Sequence, residues 1–473
     1  MSTASPSADT TSRGQRAITL LVAGTFFMEN LDGTILTTAA PPIANAFGVS
    51  SAEVGVAITA YLLTLAVLIP LSGWLTQRLG ARLVFTSAIV VFTLASVLCA
   101  ASASLPMLVA ARVLQGIGGA MMVPVGRLTV LRVTEKKDLI HAIAWLTWPA
   151  LAAPVVAPLV GGILVTSLSW HWIFLINVPL GVVALVAALR LVPAGSREHP
   201  ARLDWPGLIL TCGGLGALVW LGSLLSSAVQ SWAWVALFAA LGVCLSAAAI
   251  LHLGRAAHPL LDLRSLRIAT FRLTHAGGSL FRLAVNAVPF LVPLLLQDGF
   301  GWSPVVSGAL VLFIFVGNLA IKPATTPLLV LFGFRTVIAG STLGVALSMA
   351  AVALITPATP VALIAALLVF GGAMRSIGFT AYNTIAFADV PHERMTEANT
   401  LSSTVQQLAA GFGVTVGALA LRAGQLTDAG AGTLAPYRVA FVAIAVITLA
   451  ATLEALLVDR GAGENIRPAR VRR

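Results

Sequence analysis

The sequence predicts an all-α integral membrane protein of about fourteen transmembrane helices, two pseudo-symmetric six-helix bundles with two helices inserted between them. Three observations predict it. The 473 residues are 58% hydrophobic and only 10% charged, with a mean hydropathy of +0.96, whereas soluble domains are about half apolar and a quarter charged. The apolar stretches run to twenty residues or more, enough to cross a hydrocarbon layer about 30 Å thick. The second half of the chain also repeats the spacing of the first.

Bounded by Pro, Gly and charge, the spans are expected at 17–39, 54–76, 82–102, 105–127, 139–166, 171–191, 205–225, 232–254, 270–296, 304–330, 335–355, 358–385, 398–422 and 437–458. Residues 1–16 read as a polar cytoplasmic tail and not as a cleavable signal. Residues 17–191 form the first bundle, 205–254 the inserted pair, 270–458 the second bundle and 459–473 a basic cytoplasmic tail. With the N-terminus inside, one side collects Arg78, Arg82, Arg132, Lys136, Lys137, Arg197, Arg202, Arg255, Arg264, Arg267, Arg335, Arg394 and the last tail. The other side has only Arg422 and Arg438. This positive-inside bias places both termini in the cytoplasm of a multi-pass protein of the inner (plasma) membrane. The net charge of +11 is then a topology signal, and no nucleic-acid partner is expected.

Cys99, Cys212 and Cys244 lie in apolar runs without CxxC spacing, and the seven histidines form no ligand cluster. Neither a disulfide framework nor a metal site is expected. The sequence has no P-loop pattern, HExxH pair or nucleophile elbow, and no loop long enough to fold by itself. These absences speak against an enzyme and against direct ATP use, and no cofactor is expected.

The repeat keeps one register. Pro70 and Pro323, Leu75 and Leu328, Gly80 and Gly333, Arg82 and Arg335, and Val84 and Val337 all differ by 253 positions, as do Gly118-Gly119 and Gly371-Gly372. Parallel halves of this kind pack about an axis normal to the membrane, with the substrate site expected between them near the midplane.

Five motifs now carry a resemblance. LDGTILTTAAP (31–41) lies in span 1, GWLTQRLGARLV (73–84) between spans 2 and 3, and RVLQGIGGA (112–120) in span 4; PVVAPLVGG (154–162) lies in span 5 and SWHWIFLINVPLG (169–181) opens span 6. In this order they resemble the major facilitator superfamily, and within it the fourteen-span drug:proton antiporter branch, over nearly the whole chain. The resemblance implies Asp32 and Arg112 in proton coupling. It implies Gly73, Gln77, Arg78, Gly80 and Arg82 in gating, and Pro154, Pro158, Gly161 and Gly162 in a helix bend that seals the cavity. Gln77 departs from the family's Asp, which belongs to a charge relay; an amide hydrogen-bonds but holds no ion pair. Packing alone is the plainer reading of the span 5 prolines and glycines, since proline removes a backbone donor and small residues let helices approach.

Two carboxylates, Glu29 and Asp32, sit inside the first span. A charge at the centre of a helix in lipid costs about 2.5–3.5 kcal/mol on insertion scales, so such residues face a bundle interior or a wet cavity and find partners. Asp32 is about 22 Å up span 1 and Arg112 about 10 Å down span 4, at similar depth in the layer. A pair is expected, in which protonation of Asp32 frees Arg112 and shifts the access states; a permanently ionised structural tie is the alternative. Glu29 shares the Asp32 face by the i, i+3 rule. The offset places it opposite Arg282, in a contact that substrate displaces or, alternatively, as the cap of a wet vestibule. Gln115, Asn286, Trp145 and Trp148 complete the expected cavity, the tryptophans either stacking on a flat substrate or packing in the core. Trp170, Trp172, Trp232, Trp234 and Trp302 flank spans and suit an interfacial belt.

Arg282, Lys322 and Arg375 have no matching acid within their spans. They either meet Asp389 or Glu393 as a gate or receive an anionic substrate or lipid phosphate. The function expected is secondary active export of amphiphilic or drug-like molecules against protons, by a monomer in the bilayer. The alternatives are an uncoupled facilitator and a transporter of lipids or anionic amphiphiles. In a variant whose three cysteines are replaced by Ala, Ser5→Cys and Arg470→Cys should resist an impermeant maleimide in intact cells, whereas Ser231→Cys should react.

Overall fold

The computed structural model describes residues 8–49, 51–193, 202–226, 232–427, 434–457, 459 and 461–464. Residues 1–7, Arg197 and the basic tail from 465 onward lie outside the described residues. In chain order the helices are α1 (Ala8–Phe47), α2 (Ser51–Leu68), α3 (Leu71–Leu79), α4 (Ala81–Ala100), α5 (Leu105–Val133), α6 (Leu139–Ser167), α7 (Trp172–Leu175), α8 (Asn177–Leu191) and α9 (Trp205–Ser226). They continue as α10 (Trp232–Arg255), α11 (Ala269–His275), α12 (Gly277–Leu294), α13 (Pro304–Ala320), α14 (Lys322–Ala353), α15 (Val361–Ile385), α16 (Met395–Thr427) and α17 (Ala435–Leu456). Among the described residues, nine helical runs are long and apolar enough to cross a membrane, and the α2–α3 pair, bent by 60°, makes a tenth. The chain is thus an all-helical, multi-pass membrane protein. Fewer runs qualify than the fourteen expected spans. Glu29, Asn30 and Asp32 lower the hydropathy of α1, and the spans expected at 304–330 and 335–355 break in other places.

By internal contact the chain divides into two units. The first comprises Met1–Cys212, His252–Asp262 and His392–Ser403; the second comprises Gly213–Leu251, Leu263–Pro391 and Thr404–Arg473.

In the first unit α1 runs on past Pro41-Pro42, where the sequence suggests an end at residue 39. Leu31, Ile35, Ala39 and Ile43 form one helical stripe in a core shared with Cys99, Leu108, Ala153, Ile173 and Phe174. That burial holds the helix together across two missing backbone donors. Trp170 joins this core and is only 7% exposed, edge-on to Phe47 and Phe174, so the expected belt position is corrected for this tryptophan. Asp204 begins α9, and its carboxylate accepts from Gly207 N (2.9 Å), His252 Nε2 (2.7 Å) and Leu260 N (3.2 Å). Desolvation acts to raise its pKa, but these donors prevail and hold it below the ordinary carboxylate value. The stability this cap contributes is present above that ordinary value and fades as pH falls through the lowered one.

The first unit's breaks recur in the second. α2 stops before Pro70 and α3 resumes the path; α13 stops at Ala320, and α14 starts with Lys322 and Pro323. Ten residues after each proline stands a glycine in a conformation that other residues avoid: Gly80 (φ 88°, ψ 144°) between α3 and α4, and Gly333 (φ 78°, ψ 164°) inside α14. The proline removes a backbone donor at the break, and the glycine supplies the turn. Gly80→Ala and Gly333→Ala should each lose about 1–3 kcal/mol, read as a lower unfolding temperature in detergent. Gly340→Ala, on α14 with open space at its Cβ, should not.

Candidate functional site

Five helices of the first unit bring polar side chains to one buried point. α1 supplies Asp32, α2 Tyr61, α4 Ser96 and Cys99, α5 Arg112 and Gln115, and α8 its first residue, Asn177. Arg112 Nη1 donates to Asp32 Oδ2 at 2.5 Å and to Gln115 Oε1 at 2.7 Å. Asp32 Oδ1 accepts from Gln115 Nε2 (2.9 Å) and from Asn177 Nδ2 (2.8 Å). Gln115 also donates to Ser96 Oγ at 2.8 Å, and Cys99 Sγ approaches Gln115 Oε1 at 3.5 Å. The guanidinium of Arg112 lies 4.2 Å from the centre of the Tyr61 ring, and both are buried. Arg112 and Gln115 share a face of α5 by their i, i+3 spacing, which lets the amide bridge the cation and the carboxylate.

The arrangement can hold a charge or pass a proton. With Asp32 ionised, both oxygens are occupied by donors and the cation is in contact, which offsets much of the desolvation of both groups. With Asp32 neutral, Arg112 loses its counter-charge and keeps only the Gln115 oxygen and the Tyr61 face. Charge-assisted bonds are about twice as strong as neutral ones, so a proton on Asp32 weakens the joint between α1, α5 and α8.

Sequence reasoning reaches Asp32, Arg112 and Gln115 and misses Tyr61, Ser96, Cys99 and Asn177. Gln115, expected on the cavity wall, is fully buried inside the cluster. Glu29 lies about one turn from Asp32 with Oε2 buried and without a hydrogen-bond partner. Asp32 and Arg127, a cation on α5 that the sequence reading also misses, are the charges acting on it. Arg282 uses its guanidinium inside the second unit, Nη1 donating to Thr274 O (3.2 Å) and Nη2 to Asn383 Oδ1 (2.8 Å). Asn286 Nδ2 bonds back to Arg282 O at 2.7 Å. Trp145 and Trp148 are 57% and 43% exposed on α6, three positions apart, and not packed in a core. α6 runs unbroken from Leu139 to Ser167 through Pro154, Pro158, Gly161 and Gly162.

The gating residues fall into two groups. Gly80 makes its turn, Arg82 Nη2 donates to Leu189 O near the end of α8, and Arg78 lies over the Trp74 ring at 5.1 Å, while Gln77 is half-buried. Gly73 lies under Thr400, whose Cβ would be 3.1 Å from a Cβ placed there. In the same unit Asn399 Nδ2 donates to Pro124 O (2.9 Å) and Arg132 Nη2 to Thr396 Oγ1 (2.6 Å). Lys322 and Arg375 do not meet Asp389 in an ion pair. Lys322 Nζ donates to Thr380 Oγ1 (2.9 Å), Arg375 Nη1 to Val285 O (3.3 Å), and Asp389, which is exposed, accepts from Thr270 (2.9 Å). Each cation finds an uncharged oxygen within reach, so the expected ion-pair gate is absent for these two cations among the described residues.

Residues 22–414 and 274–472 match the sequence model of the Major Facilitator Superfamily. A protein of Klebsiella pneumoniae named for multidrug resistance, MdtD, is 37% identical over 405 residues, covering 85% of each chain. MdtD of Cronobacter sakazakii is 39% identical over 410 residues, with the same coverage of both. The fold is shared with the human organic anion transporter MFSD10 (TM-score 0.66, 15% identity, 93% of this chain and 99% of that one). It is also shared with the proton:xylose symporter XylE bound to 6-bromo-6-deoxy-D-glucose (TM-score 0.66, 14% identity, 96% and 97%). The chain belongs to the Major Facilitator Superfamily. It is a membrane transporter and not an enzyme. Arg112→Met, which leaves the buried Asp32 carboxylate without its cation, should lose about 3–5 kcal/mol of stability. The double variant Asp32→Asn/Arg112→Met should recover most of it in a thermal unfolding assay.

Proposed function

We propose that the chain exports amphiphilic, drug-like small molecules across the inner membrane in exchange for protons, by alternating access. The buried Asp32–Arg112 pair, with Gln115 and Asn177 on the same carboxylate, carries this reading. The names of the MdtD relatives support the substrate class. In this reading Asp32 takes and releases the proton, Arg112 registers its charge, and Glu29 with Arg127 extends the path towards the cytoplasmic side. Arg282 and Asn286 belong to the substrate cavity, with Trp145 and Trp148 offering flat apolar surface. Gly73, Gln77, Arg78, Gly80 and Arg82 shape the cytoplasmic gate, and Lys322, Arg375 and Asp389 act in gating through their hydrogen bonds within the second unit. Pro154, Pro158, Gly161 and Gly162 set the path of α6. The repeated breaks support two six-helix bundles with α9 and α10 inserted, and the arginine and lysine bias supports cytoplasmic termini for a monomer of fourteen spans.

The test is flux in proteoliposomes with an imposed pH gradient and a fluorescent amphiphile, rhodamine 6G. The wild type should concentrate the dye uphill, and Asp32→Asn should lose uphill transport while keeping downhill exchange. Uphill flux by Asp32→Asn would remove the carboxylate from coupling, and wild-type flux indifferent to the gradient would leave an uncoupled facilitator.

A further inference from the structure

The offset that pairs the two glycine turns also maps the Asp32 cluster onto the second unit. Asp32 and Gln115 correspond to Val285 and Leu368, and Arg112 corresponds to Ala365, so apolar side chains replace the polar ones. The second unit keeps a buried charge elsewhere. Lys322 opens α14 at the break after α13 and is only 7% exposed. Its Nζ donates to Thr380 Oγ1 on α15 at 2.9 Å. The same offset makes Ile69 and Arg127 the counterparts of Lys322 and Thr380. Each unit thus places one cation on this pair of positions, from opposite sides. Arg127 has the Glu29 carboxylate acting on it, whereas the counterpart of Glu29 is another cation, Arg282. The unit with an acid uses arginine, which does not give up its proton; the unit without one uses lysine, which can.

Neutral polar groups surround Lys322. Gly317 and Gly372 let α13 and α15 close up, since a Cβ on either would strike a backbone carbonyl of the other helix. In that seam Asn318, one turn before Lys322, is buried with both amide atoms lacking a hydrogen-bond partner. Ser376 Oγ, one turn before Thr380, is buried and likewise unpartnered. α13 carries no ionisable residue, and α15 has Arg375, bonded to Val285 O, and Tyr382. Within α14 the other cation, Arg335, lies beyond the Gly333 turn. α17, also packed on α14, has Tyr437 and Arg438 at its start and Glu454 at its end, where the carboxylate accepts from Gly277 N. No ion pair reaches Lys322 among the described residues. An ammonium has three donors, of which one is used here. An ionisable side chain so placed inside a membrane bundle marks a functional site.

We propose that Lys322 is a second proton-binding group of the transport cycle, an amine while this seam is closed and an ammonium when alternating access opens it to water. The nitrogen lone pair takes the proton from water on opening and returns it to water on closing; no other bond changes. The assignment rests on the exchange reading above and adds a site to it. The chain has three lysines, Lys136, Lys137 and Lys322, so protein isotope-labelled at lysine Nζ gives three nuclear magnetic resonance signals. Lys136→Arg/Lys137→Arg identifies the one from Lys322. In lipid nanodiscs that signal should pass from amine to ammonium as pH falls from about 9 to about 5, a range in which a lysine in water stays charged. Lys136, which is exposed, is the internal reference and should stay an ammonium. The Lys322 titration should persist in Asp32→Asn. A Lys322 signal that stays ammonium, or stays amine, over the whole range overturns the proposal.

Flux gives the second measurement. With a gradient of about one pH unit across proteoliposomes and the membrane potential clamped at zero, Lys322→Met should lower rhodamine 6G accumulation about tenfold, the ratio one proton per cycle supplies. Unchanged accumulation by Lys322→Met overturns the proposal, and if that variant fails to fold the wild-type titration decides. Wild-type flux indifferent to the gradient would remove the exchange reading, and the Lys322 signal would still decide whether this lysine binds a proton.

Discussion

A carboxylate and a guanidinium held at 2.5 Å inside an apolar bundle constrain everything near them. Each charge, taken from water alone, would destabilise the fold by several kcal/mol, and their attraction offsets this only when the remaining lone pairs and donors are met. Asp32 meets that condition by accepting from three side chains on two further helices, α5 and α8. Arg112 meets it in part, through Gln115 and the Tyr61 face, and leaves Nε and Nη2 without hydrogen-bond partners. The acid is therefore better satisfied than the base. A joint built this way responds to the charge on the acid, because every helix that touches the carboxylate depends on the same negative charge.

Much of this site is legible in the sequence, for a physical reason. Charged residues inside apolar runs are rare enough to stand out, and the helical rise converts their positions into depths that either match or do not. Asp32 and Arg112 match. Asn177 is present in the quoted stretch SWHWIFLINVPLG, yet a neutral amide at a helix start reads as a turn or a cap, and only the fold aims it at a carboxylate on α1. Tyr61, Ser96 and Cys99 give still weaker signals, because Tyr, Ser and Cys occur in helices for packing alone. Lys322 and Arg375 show the opposite failure. Their charge is plain in the sequence, but the search for acids overlooks hydroxyls and carbonyls as partners.

The helix ends divide in the same way. Pro41-Pro42 suggests a stop, and buried contacts beyond it overrule the local preference. Gly80 and Gly333 are ordinary glycines when read singly; their common offset shows them to be one turn used twice. Aromatic placement is the least legible feature. Which face of a helix a tryptophan occupies decides whether it is buried like Trp170 or exposed like Trp145, and periodicity fixes that only when the neighbouring helices are known.

One backbone plan carried by two units has opposite polarity at equivalent places, ionisable around Asp32 and oily around Val285. A duplicated scaffold of this sort separates architecture from chemistry, so the charge buried at each place is set by a few side chains and not by the fold. Transplanting an acid to position 285 and a base to position 365 would ask whether the oily copy can hold a buried ion pair of its own.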